Sequence, residues 1–131
     1  MKSIAADSSA LVAIMNGEIE SAIFVGILLA ADRIVLSAAN LLETRMVLHG
    51  RNPNLPDRLG QFLQEMGIQI EPVTKQQSDI AFEAFKRFGK GSGHKAGLNF
   101  GDCLAYALAK ERGIPLLFKG DDFSHTDIAP A

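Results

Sequence analysis

Short apolar runs that alternate with helical segments predict an α/β fold, with a central, mainly parallel sheet covered on both faces. Compact apolar runs at residues 4–6, 34–36 and 116–118, and the Ile68-Gln69-Ile70 segment, have the length of strands. The segments between them space their apolar residues as helices do; Leu59, Phe62, Leu63 and Met66 are one such stripe. No internal repeat or linker interrupts the 131 residues, so one domain spanning 1–131 is expected.

In chain order, residues 4–6 read as a first strand that ends at Asp7. Ser8 and Ser9 open a helix through Leu11, Val12 and Met15, which stops at Asn16-Gly17. A hydroxyl accepts the orphan N–H bonds of a helix start, and glycine tolerates the left-handed stop. A second helix covers about 18–31, and residues 33–36 form a second strand. Ser37 caps a third helix over about 38–49, followed by the turn cluster Gly50-Arg51-Asn52-Pro53-Asn54. Residues 56–66 are helical, and 68–70 form a third strand ending before Pro72. Residues 78–88 form an amphipathic helix with Ile80, Ala81, Ala84, Phe85 and Phe88 turned inward. A Gly-rich, basic stretch over 89–97 leads into a helix at 101–112, stopped by Gly113. Residues 116–118 are the fourth strand, and Ile128 is expected to add a final pairing.

Thirteen basic and fifteen acidic residues give a net charge of −2, which excludes a globally basic coat for nucleic acid. The hydrophobic fraction of 47% and charged fraction of 21% exclude a disordered chain. Cys103 is the sole cysteine, so there is no intrachain disulfide framework and no multi-cysteine zinc site. The longest apolar run, 22–31, falls short of the roughly 20 residues of a membrane span. The first residues lack the apolar core of a signal peptide. A cytoplasmic protein with no membrane partner is expected.

In parallel sheets, ligands sit beyond the carboxyl ends of the strands. Asp7 ends the first strand, and Asp121 and Asp122 follow the fourth. Asp102 lies in the first turn of the 101–112 helix. Glu43 lies inside the third helix, where its neighbours Ala39, Met46 and Val47 predict an inward-facing carboxylate. Taken singly, Asp7 could cap a helix, Asp102 could favour a helix N-terminus behind Asn99, and Asp121-Asp122 could be a solvated turn. Together they converge on one sheet edge, where mutual repulsion calls for a cation. Oxygen-only donors select hard ions, so Mg²⁺ or Mn²⁺ is the expected cofactor. Acidic sites of this kind serve phosphoryl chemistry.

Asp7-Ser8-Ser9-Ala10-Leu11, Glu43 in its helix, Asn99-Phe100-Gly101-Asp102-Cys103-Leu104-Ala105-Tyr106 and Leu116-Leu117-Phe118-Lys119-Gly120-Asp121-Asp122-Phe123 together resemble the PIN domain. Within it, the chain resembles the VapC-type toxins of bacterial toxin–antitoxin pairs. The resemblance implies a three-layer α/β/α sandwich and an Mg²⁺- or Mn²⁺-dependent endoribonuclease that leaves 5′-phosphate and 3′-hydroxyl ends. It also implies a homodimer and inhibition by a VapB-like antitoxin. The family's acids match Asp7, Glu43 and Asp102, and the fourth matches Asp121 or Asp122, with Asp122 preferred. Asp7 and Asp102 are expected to hold the metal directly, with Glu43 and Asp122 acting through water or orienting the nucleophile. The family's small hydroxyl beside the first acid matches Ser9, and Asn99 matches a position at the start of the catalytic helix.

No acid lies between Glu83 and Asp102, whereas Lys86, Arg87, Lys90 and Lys95 do. Basic side chains and free glycine N–H groups suit phosphate contact, so these residues, with Arg51, are candidates for binding RNA. A solvated flexible loop is the plainer alternative.

Gly91-Ser92-Gly93-His94-Lys95-Ala96 matches G-x-G-x-x-A in form but follows a helix, which argues against a dinucleotide site. There is no P-loop and no nucleophile elbow. His49, His94 and His125 lack zinc-ligand spacing, and Cys103 reads as a small buried residue. Two other functions compete: a catalytically weak module that binds RNA or protein, and a metal-dependent phosphatase. The complete acid set argues against the first. Cleavage of small phosphoesters without RNA cleavage would favour the second.

Overall fold

The computed structural model describes residues 1–131. Its elements are β1 (Ser3–Ala6), α1 (Ser8–Met15), α2 (Ser21–Ala30), β2 (Arg33–Ser37), α3 (Ala38–Arg51), α4 (Leu55–Glu65), β3 (Gln69–Glu71), α5 (Lys75–Phe88), α6 (Phe100–Arg112) and β4 (Leu116–Leu117). A 3₁₀ turn, Asp122–His125, follows. The four strands form one sheet in the order β3-β2-β1-β4, and all three pairings are parallel.

Successive strand side chains point to opposite faces. Ala5, Val35 and Leu116 therefore pack against α5 and α6, with Ala84, Phe88, Tyr106 and Leu108. Ile4, Ile34, Leu36 and Leu117 point the other way, into a second core with Leu11, Leu28, Leu48 and Leu59 from α1 to α4. Each large apolar side chain so buried contributes about 1.5–3 kcal/mol. The result is the expected α/β/α sandwich. No helix is long and apolar enough to cross a membrane.

Several boundaries move for local reasons. Helix α3 takes in Gly50 and Arg51, which the sequence reading placed in a turn. The break comes at Asn52, in extended backbone (φ −157°), because Pro53 disfavours helical geometry in the residue before it. Helix α2 starts at Ser21 rather than near Glu18. Helix α5 starts at Lys75 rather than Ser78, since Thr74 Oγ1 accepts from the Gln77 N–H at 3.1 Å. Gln77 is itself buried and donates to Glu111 at 3.0 Å. Phe118 lies outside the β4 ladder. The final pairing is made by Pro130 rather than Ile128: Leu116 receives a parallel bridge from Pro130, while Ile128 is buried in the α5–α6 core.

Candidate active site

The chain runs from β1 outward to β2 and β3, then returns to place β4 on the other side of β1. The carboxyl ends of β1 and β4 therefore flank a topological switch point, where sheets of this kind leave a crevice. Asp7 stands there, 3% exposed. Its Oδ2 caps α1, accepting from Ser9 N at 3.0 Å and from Ser9 Oγ at 2.5 Å. The helix-cap reading thus holds for one oxygen only. Oδ1 is buried with no hydrogen-bond partner. Burial pushes the Asp7 carboxyl up to about 7; the two bonds from Ser9 pull the other way, and the charges of Asp102 and Glu43 push it further up.

Glu43 comes from α3, with Oε1 accepting from Ser8 Oγ at 2.6 Å and from Asn40 Nδ2 at 3.3 Å. Asn40 also donates to the Gly101 carbonyl at 3.0 Å, tying α3 to the start of α6. The expected inward stripe is not what orients Glu43. The buried positions of α3 are Asn40, Thr44 and Leu48, whereas Met46 and Val47 are exposed. Glu43 is partly buried and is aimed by polar contacts instead. Gly101 leaves the space its carboxylate occupies, since a Cβ there would overlap both carboxylate oxygens.

Asp102 sits at the third position of α6 in a reciprocal cap with Asn99. Asn99 N donates to Asp102 Oδ2 at 3.0 Å, and Asp102 N donates to Asn99 Oδ1 at 2.9 Å. Burial raises the Asp102 pKa above the ordinary carboxylate value, the Asn99 bond opposes it, and the charges of Asp122 and Glu43 add to the rise. Asp121 and Asp122 are both exposed and stand outside the lining of the cleft that holds Asp7, although the charge of Asp122 adds to the rise at Asp102.

Asp7, Ser8, Ser9, Glu43, Asn99 and Asp102 line one cleft of about 340 Å³, with Arg51, Glu18 and Lys119 at its side. No three acidic, histidine or cysteine side chains converge tightly enough to hold one ion between them. The donor set nonetheless fits a hard divalent cation that keeps most of its waters and takes one or two carboxylates. The orphaned Asp7 Oδ1 is the oxygen such an ion would satisfy.

A PIN-domain family model matches residues 4–129. The chain belongs to the PIN-domain family. Its similar relatives are VapC ribonucleases. VapC28 of Mycobacterium tuberculosis is 47% identical over 126 residues, covering 95% of both chains. VapC30 of the same organism is 43% identical, covering 94% of both. The crystal structure of VapC20 from M. tuberculosis, a sarcin–ricin loop cleaving toxin, superposes with a TM-score of 0.80 over 98% of both chains at 19% identity. A toxin–antitoxin complex from Klebsiella pneumoniae superposes with a TM-score of 0.70 over 92% of this chain and 90% of its own, at 13% identity. At those identities the two structures establish the PIN fold alone.

The PIN domain brings few of its expected basic residues to the cleft. Arg51 lines it, as the last residue of α3. Lys86 is paired with Glu83 at 2.7 Å and lies over the Phe82 ring. Arg87 lies over the Phe88 ring and borders a separate hollow between α5 and α6. Lys90 and Lys95 are exposed on the glycine loop that leads to Asn99. Lys119, overlooked as a binding residue, lines the cleft directly. Its place just after the fourth strand was the available signal. Cys103 is buried, and burial pushes its thiol up to about 11, which favours the thiol over the reactive thiolate.

Proposed function

We propose that this VapC-like PIN domain is a metal-dependent endoribonuclease that hydrolyses RNA phosphodiester bonds in the Asp7 cleft. The observation that carries this reading is the buried, unpartnered Oδ1 of Asp7 in a cleft shared with Glu43 and Asp102. Asp7 and Asp102 would hold Mg²⁺ or Mn²⁺, with Glu43 and Asp122 reaching it through water. Bound there, the cation lowers the pKa of water and neutralises charge developing on the phosphate oxygens.

The chain's own residues prepare that site. Ser9 fixes Asp7 by occupying Oδ2, which leaves Oδ1 for the ion. Asn99 fixes Asp102 in the same way through the cap of α6. Glu43, held on Oε1 by Ser8 and Asn40, would orient the attacking water through its other oxygen. Arg51 at the cleft and Lys90 and Lys95 on the approach loop offer charge to the RNA backbone, with Lys86 and Arg87 farther out.

Cytoplasmic residence, where RNA is found, goes with this activity. An exposed apolar face of Leu42, Met46, Phe82 and Phe100 supports a homodimer as the working form. A VapB-like antitoxin is the proposed inhibitor, in keeping with the VapC relatives. The products of RNA cleavage should carry 5′-phosphate and 3′-hydroxyl ends. Asp102→Asn should abolish cleavage while leaving the melting temperature nearly unchanged, because asparagine retains an oxygen for the cap. Undiminished turnover in that variant would remove Asp102 from the mechanism.

A further inference from the structure

Lys119 follows β4 at the switch point, and its place is fixed from the backbone. The Lys119 N–H donates to Ser9 Oγ at 3.0 Å, and that same hydroxyl donates to Asp7 Oδ2 at 2.5 Å. The backbone of Lys119 is thus registered to Asp7 through one hydroxyl, and its long side chain extends from that fixed point. The ammonium is held at the rim, paired with Glu18 and with Glu20 Oε2 at 3.3 Å. Both acids lie on the segment between α1 and α2, which Gly17 turns back toward the cleft with a left-handed φ of 65°. Neither Asp7 nor Asp102 pairs with Lys119, so the ammonium leaves both carboxyls open to a cation.

The rim pairing is crowded. Two carboxylates share one ammonium, and Glu20 Oε1 is buried with no partner of its own. The Lys119 side chain remains 38% exposed, where ion pairs are weak and exchange readily with a competing anion. We propose that Lys119 grips the substrate phosphate beside the acidic cleft, and that Glu18 and Glu20 hold it in reserve until RNA arrives. This inference rests on the ribonuclease reading and adds a residue to it.

The test titrates a short fluorescein-labelled single-stranded RNA of mixed sequence by anisotropy, at several salt concentrations. Every variant carries Asp102→Asn to prevent turnover. Lys119→Ala is expected to weaken binding about tenfold and to lower the slope of log K against log salt by about 0.7, the loss of one phosphate contact. Lys119→Arg should keep both affinity and slope. Glu18→Gln/Glu20→Gln should tighten binding, and that gain should disappear when Lys119→Ala is added. Unchanged affinity and slope in a folded Lys119→Ala protein would overturn the proposal. So would a gain from the glutamine pair that survives without Lys119. Should Lys119→Ala fail to fold, the glutamine pair decides alone, and no gain in affinity overturns the proposal. A parent protein that binds no RNA overturns the ribonuclease reading itself, and this inference with it.

Discussion

Gly101 lies against the carboxylate of Glu43: a Cβ at position 101 would occupy the space of both carboxylate oxygens. The overlap is with the far end of a flexible side chain, so the helix can stay in place while Glu43 moves. Alanine is also the better helix former, by up to about 1 kcal/mol. Gly101→Ala should therefore keep or slightly raise the melting temperature while lowering RNA cleavage by roughly 10–100-fold, the scale of disturbing a group that reaches a metal through water. Turnover equal to the parent's would show that Glu43 has no part in the reaction.

Asp7 makes the metal-free protein sensitive to pH in an unusual direction. Burial, acting against the Ser9 hydrogen bonds, raises its folded pKa to about 7 from an ordinary value of 3.8. Below pH 4 both folded and unfolded states hold the proton. As pH rises from 4 to 7 the unfolded chain releases it first, so stability falls and then levels off above 7. The loss is on the order of 4 kcal/mol for a shift of about three units. In chelator, thermal melts should decline across that window, and Asp7→Asn should reduce the decline to the share that the raised Asp102 carboxyl contributes and be the more stable protein at pH 8. Adding Mg²⁺ or Mn²⁺ should restore the parent at pH 8 and leave the variant unchanged. A flat profile for the parent in chelator would contradict the burial of a titrating Asp7.

The apolar face beside the cleft supplies a third expectation. Met46 is 66% exposed and Phe82 59%, and the hollows they border share Ala39, Phe100 and Leu104. If a second copy covers this face, Met46→Glu or Phe82→Glu should shift sedimentation from dimer to monomer without loss of fold. A dimer that survives both substitutions would place the interface elsewhere.

The parallel sheet and its two helical layers were legible because strand and helix periods are local. Ile4 and Ala5 diverge to opposite cores for the same reason that adjacent strand residues always do. The acids were legible as residues at strand ends and at a helix start, and the structure brings Asp7, Glu43 and Asp102 to one cleft. What aims Glu43 was not legible. The contacts that do so reach from Ser8, 35 positions away, and across α3 and α6 through Asn40 and Gly101. The same holds for Lys119, whose partner Glu18 lies 101 positions earlier, with its second partner Glu20 two residues after Glu18. Periodicity carries no information about such long-range polar contacts. The end of α3 moved because a proline acts on the residue before it, whereas the sequence reading ended the helix at His49, before the Gly50 turn cluster.

The most direct measurement is cleavage of total RNA by the purified, antitoxin-free protein with Mg²⁺ or Mn²⁺ and with chelator, beside folded Asp7→Asn. Discrete fragments that require both the metal and Asp7 are the predicted result. Fragments that persist in chelator, or that Asp7→Asn produces at the parent's rate, would contradict an acidic metal cleft as the seat of the activity.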